Sequence, residues 1–226
     1  MRFKKLKLYT NKLESEFDFY SKKLGFKIIE RTDNSFIVKA GWTHLEFQKS
    51  VTEHKYHYCF LIPWNHLNQA LKWFENRVEI IKIENNSAII KFEFWNAESF
   101  YFYDASGNLA EIIVHYDLKN AKNEFNALSI LGLCEIGMPT TNIQKVDTQL
   151  NAAINSKFWK GDFERFGTNG TIEAKFLLPN YEIKETWFPT SLKIKPQPFE
   201  TLLENNGNEY HLEFKEGVIK TTVIKL

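Results

Sequence analysis

LYTNKLESEFDFYSKKLGF, residues 8–26, reads as the end of a strand, an amphipathic helix and a glycine stop. KKLKLY (4–9) alternates polar and apolar residues, as a half-buried strand does. Leu13, Phe17, Tyr20 and Leu24 recur at helical spacing, and Gly25 follows where a helix C-cap calls for a left-handed residue. Then come FKIIE (26–30), SFIVKA (35–40) and THLEFQ (43–48), short strands separated by polar residues or Gly41. The order is β-α-β-β-β.

Outward from there the pattern repeats. YHYCFLI (56–62) predicts a strand and HLNQALKWFENR (66–77) a helix with Leu67, Ala70, Leu71 and Phe74 on one face. Strands are expected at 79–83, 88–94, 99–104 and 109–116, the last two joined by a turn at Ser106-Gly107-Asn108. A third copy opens with ILGLCEIGMP (130–139) and a helix near 143–155, with strands near 162–167 and 171–178. WFPT (187–190), a Pro-rich turn at Pro196 and Pro198, and a hairpin over roughly 209–226 complete the chain. A module of this kind buries one sheet face only by pairing with another. The expected division is a two-module domain at 1–116, a polar linker at 117–128 and a degenerate second domain at 129–226.

Composition narrows the function. The 226 residues carry 29 Lys+Arg against 28 Asp+Glu, so no net field favours nucleic acid, an anionic membrane or an acidic partner. Aromatics make up 15% of the chain, against 10 Gly and 6 Pro, which excludes disordered and collagen-like chains. No run reaches the ~20 apolar residues of a membrane helix. Cys59 and Cys134 form no CxxC, and a reduced cytoplasmic protein is expected. No phosphate loop, G-x-S-x-G elbow or dinucleotide fingerprint appears.

Residues 8–26, together with YFYDASGNLAEIIV (101–114), resemble the opening and closing motifs of the vicinal-oxygen-chelate superfamily of glyoxalases, bleomycin-resistance proteins and extradiol dioxygenases. The second string is similar to that family's Asp-Pro-x-Gly-Asn-x-x-Glu, with Ala105 where Pro is usual. The resemblance implies an α+β fold of paired βαβββ modules, curled into open cup-shaped mixed sheets. It also implies a small-molecule ligand, with pairing either within a monomer or across a homodimer. Metal ligands in such proteins come from the first and last strands of each module. Carried over, these positions are Lys5, Glu46, His57 and Glu111, with Glu111 also the candidate catalytic carboxylate.

His57, Glu46 and Glu111 as metal ligands would suit one divalent ion, Zn, Mn, Fe or Ni, acting as a Lewis acid. A protonated Lys5 has no lone pair to complete the set. The expected reading is that the Lys5 ammonium replaces the cation and leaves a metal-free cup that binds a small organic molecule; the alternative is that three ligands suffice, as in a metal-dependent lyase, isomerase or dioxygenase. A third reading is a catalytically silent interaction domain. Tyr9, Trp42, Tyr58, Trp95, Tyr101 and Tyr103 are the expected aromatic lining, with Lys5 as a polar contact. Glu135 repeats the first-strand position in the third copy, but no second metal site is expected there.

Overall fold

The structure, a computed structural model, describes residues 1–83, 86–121 and 124–225. The first module holds β1 (Arg2–Thr10), α1 (Leu13–Asp18), β2 (Ile28–Arg31), β3 (Ser35–Ala40) and β4 (Thr43–Lys49). Helix α1 runs on as a π-helical stretch, Phe19–Lys23, and stops at Gly25, where φ is +62°. The second module holds β5 (His57–Leu61), α2 (Leu67–Glu75), β6 (Ile90–Phe92), β7 (Ala97–Tyr103) and β8 (Leu109–His115). The third holds β9 (Gly132–Gly137), α3 (Ile143–Ile154), β10 (Phe158–Gly161), β11 (Phe166–Thr171) and β12 (Ala174–Pro179). A helix-free meander follows: β13 (Phe199–Asn205), β14 (Asn208–Lys215) and β15 (Val218–Lys225).

Three local expectations change, the first being that the strand near 162–167 gives way to β10 and β11 on either side of residues 162–165. The strand at 79–83 reduces to a single bridge between Ile80 and Phe102. Strand β13 stands where none was read. The linker at 117–128 and the hairpin at 209–226 extend in part outside the described residues.

The larger correction concerns pairing. One sheet runs β15-β14-β13-β1-β4-β3-β2, and the other runs β10-β11-β12-β9-β5-β8-β7-β6. The first two modules therefore do not share a cup, and each sheet draws strands from both sides of residues 117–128. Strand β1 pairs in parallel with β4 and antiparallel with β13, whereas β5 pairs in parallel with β8 and antiparallel with β9. The reason is physical: a module's first strand keeps one open edge after bonding its own last strand. The βαβββ pattern does not specify which strand fills that edge.

Alternation along the strands separates two environments. Tyr58, Phe60, Ala110, Ile112 and Val114 join a core built with the helix residues Phe74, Ile143, Leu150 and Ile154. Their neighbours Cys59, Leu61 and Ile113 pack together with Cys134 in a separate cluster, on the face that His57 and Glu111 share by strand parity. In β9 the register slips, with Cys59 opposite Glu135 but Phe60 opposite Leu133, so Cys134 is the extra residue of a β-bulge. The bulge brings Cys134 and Glu135 to one side, their ligand atoms and the Cys59 sulfur all within 4.8 Å of one another.

Candidate metal centre and cavity

Cys59 stands opposite Glu111 on one neighbouring strand and opposite Glu135 on the other. Two carboxylates thus flank β5 on the face that carries His57. His57, Glu111 and Glu135 are all buried, and one ligand atom from each lies within 4.8 Å of the others. His57 Nδ1 is 3.0 Å from the Leu109 carbonyl oxygen. A carbonyl only accepts, so Nδ1 carries the hydrogen and Nε2 carries the lone pair.

That lone pair lies 3.5 Å from Glu111 Oε2. Two acceptors at this distance need a proton or a cation between them. Burial, and then the neighbouring Glu135 charge, pushes the Glu111 carboxyl up to about 8. Burial also holds the His57 imidazole below its ordinary range, and so neutral. A neutral imidazole with its other nitrogen anchored, beside two carboxylates, is a donor set that fits a divalent first-row ion.

The fourth position is occupied by a lysine. Lys175 on β12 is in register with Glu135 and fully buried, its Nζ 3.0 Å from Glu135 Oε1. The same oxygen has no aligned hydrogen bond, so the attraction is one of charge rather than direction. The ammonium also lies over the rings of Trp95 and Trp159, at 5.3 and 4.8 Å. Burial works hardest against the ammonium, but the Glu135 carboxylate together with the neighbouring Cys134 and Cys59 outweighs it, and the pKa ends above its ordinary value.

Above this floor opens a cavity of about 290 Å³, near the lower end of the ~300–1,000 Å³ usual for small-molecule sites. Its walls include Phe92, Trp95, Tyr101, Phe166, Trp187 and Phe188, and Lys184 also lines it. The Trp187 and His57 ring centroids are 4.8 Å apart. Gly137 permits this approach, because a Cβ there would stand 2.7 Å from the indole.

The sequence-predicted residues are distributed between the two sheets. His57, Glu111, Trp95 and Tyr101 come together at this cavity. Glu46 and Lys5 do not: they form an ion pair at 2.6 Å on the other sheet, half open to solvent on the lysine side. Tyr9 is on that sheet too, its hydroxyl donating to Glu200 at 2.5 Å. Tyr58 points the opposite way, donating to Asp104 at 2.6 Å and bonding Tyr20. Trp42 is packed against Gly132, and Tyr103 is exposed. Lys175, Lys184 and Trp187 were missed. Glu135 was seen at its first-strand position but not joined to His57, because the site forms between the second and third modules.

With the geometry in view, comparisons give the family. Residues 2–112 match the family model of the Glyoxalase/Bleomycin resistance protein/Dioxygenase superfamily. Residues 2–112 belong to this superfamily. A candidate dioxygenase from Bacillus subtilis subsp. subtilis str. 168 superposes with a TM-score of 0.61 at 13% identity, covering 99% of this chain and 84% of that one. A glyoxalase I point variant from Zea mays gives 0.55 at 10% identity, covering 98% and 92%. These likenesses concern the fold. No curated protein matches the sequence. The first and last strands of the second and third modules are β5, β8, β9 and β12. They carry His57, Glu111, Glu135 and Lys175. Among the described residues, no helix is long and apolar enough to cross a membrane.

Proposed function

We propose that the protein is a divalent-metal-dependent enzyme of this superfamily, acting on a small organic molecule held in the cavity over the second sheet. The observation that carries the reading is the convergence of His57 Nε2 with the Glu111 and Glu135 carboxylates at the cavity floor. These three residues would hold the metal, which when bound supplies Lewis-acid polarisation of a ligand oxygen. The remaining work falls to the chain. Leu109 fixes the His57 tautomer through its carbonyl, Trp187 and Tyr101 shield the floor from water, and Lys175 offsets the Glu135 charge. Glu111 is the group able to hold a proton at the carboxyl oxygen facing His57. Two free buried cysteines fit a reducing compartment, and we place the protein in the cytoplasm.

Lys175 favours a second reading, a metal-free binding cup. Its ammonium balances Glu135, and a protonated Glu111 would leave the floor neutral. Elemental analysis of protein purified without chelator separates the two. The enzyme reading expects about one equivalent of divalent metal, with affinity lowered at least a hundredfold in His57→Ala, beyond the ~10–100-fold of second-shell losses. Metal-free wild-type protein that takes up no added Zn²⁺, Mn²⁺, Fe²⁺ or Ni²⁺ would leave only the binding cup.

A further inference from the structure

The aromatic cavity has a cationic edge that the metal reading does not use. Lys184 lines it, and its Nζ donates to the Thr186 carbonyl at 2.6 Å. An ammonium has three donors, so two remain after that bond. Among the described residues, no carboxylate lies within ion-pair distance of Lys184. Burial, and then the Arg165 charge, lowers its pKa. Lys184 lines the same cavity as His57, Glu111 and Glu135. A half-buried cation beside aromatic walls attracts an anion and repels an amine.

We infer that the ligand is a small aryl or arylalkyl carboxylate, its ring lying among Trp95, Tyr101, Trp187 and Phe188 and its carboxylate on Lys184. The cavity volume matches one aromatic ring with a short acid side chain, and the exposed Phe188 leaves an entrance rather than a sealed void. The inference rests on the proposed function only in taking this cavity as the ligand site. It requires no metal.

The test uses metal-stripped full-length protein, so that a carboxylate cannot bind the ion instead. Phenylacetate and 3-phenylpropanoate are titrated against their neutral amides by calorimetry and tryptophan fluorescence. The expected result is a preference for the acid of about ten- to hundredfold, the range of one charge-assisted hydrogen bond. Lys184→Met should abolish that preference, and Lys184→Arg should retain most of it. Equal affinity for acid and amide, a preference that survives Lys184→Met, or failure of both acids to bind overturns the inference. Metal content is measured on the same preparations before stripping. A protein with no metal but a lysine-dependent acid preference would refute the metal-enzyme reading and leave this one standing.

Discussion

Lys7 and Cys59 occupy the same station in the two sheets. Each lies on a first strand between a carboxylate on the parallel neighbour and another on the antiparallel one: Glu46 and Glu200 around Lys7, Glu111 and Glu135 around Cys59. In the first sheet lysines answer both acids, Lys5 to Glu46 at 2.6 Å and Lys7 to Glu200 at 3.0 Å. In the second sheet the only lysine at the acids, among the described residues, is Lys175. Removing it should be costly. Lys175→Met is expected to destabilise metal-free protein by about 3–5 kcal/mol, since it strands a buried carboxylate. Added divalent metal should recover part of that, read as a shift in the urea midpoint. Gly137→Ala is expected to push Trp187 off His57, weakening ligand binding about tenfold or more while metal content holds, measured by calorimetry and elemental analysis. His57 and Glu111 were legible because each sits in a recognisable string. Lys175 was not, because AKFLLP reads as an ordinary strand and only the β9–β12 register brings the lysine to Glu135.

At the scale of elements, α1 is locked to the β7–β8 turn by a buried pair of acids. Asp104 accepts from the Ser106 and Asn108 amides at 3.0 and 2.9 Å and from the Tyr58 hydroxyl at 2.6 Å. Glu16 reaches across from the helix to the same Ser106 amide at 2.7 Å, while its other oxygen has no partner. Burial, and then the Asp104 charge, raises the Glu16 carboxyl well above its ordinary range. Asp104 is raised too, chiefly by burial. Tyr20, Tyr58 and Lys55, which bonds the Ser106 carbonyl, complete the titratable surroundings. A carboxyl raised on folding contributes stability below its unfolded pKa, and that stability is lost as pH rises through the folded value. Urea midpoints should therefore fall from mildly acidic to alkaline pH, and Glu16→Gln should flatten the dependence. On α3, capped by Asn142 at the Lys145 amide, Leu150→Ala is expected to cost about 2–5 kcal/mol by the same assay. The helices and the Asp104–Asn108 turn were readable from spacing and turn chemistry. Strand β13 was not: Pro196 and Pro198 just before it marked the region as a loop, and FETLLEN is too short and charged to contradict them.

Across the whole molecule, the sheets are nested in sequence. The eight-stranded sheet uses only residues 57–179, whereas the seven-stranded one joins β1 to strands beyond 199. A fragment of residues 1–116 would leave β1 without β13 and β5 without β9. It is expected to be aggregated or unfolded, with neither the cooperative unfolding nor the size-exclusion position of a compact domain of its length. A soluble, cooperatively folding 1–116 fragment would contradict that. The repeat was legible in the sequence, but the partner of each repeat was not, since pairing is decided by complementary edges far apart in the chain.

That nesting sets an order of events during synthesis. Thr201 bonds the Lys5 carbonyl across a separation of 196 residues, so β1 leaves the ribosome long before its second partner exists. In the interval it presents an open strand edge, the kind of surface that recruits other nascent chains. Its sequence, RFKKLKLYT, carries Lys4, Lys5 and Lys7 along that edge. The lysines that later neutralise Glu204, Glu46 and Glu200 therefore first serve as electrostatic guards on an unfinished sheet.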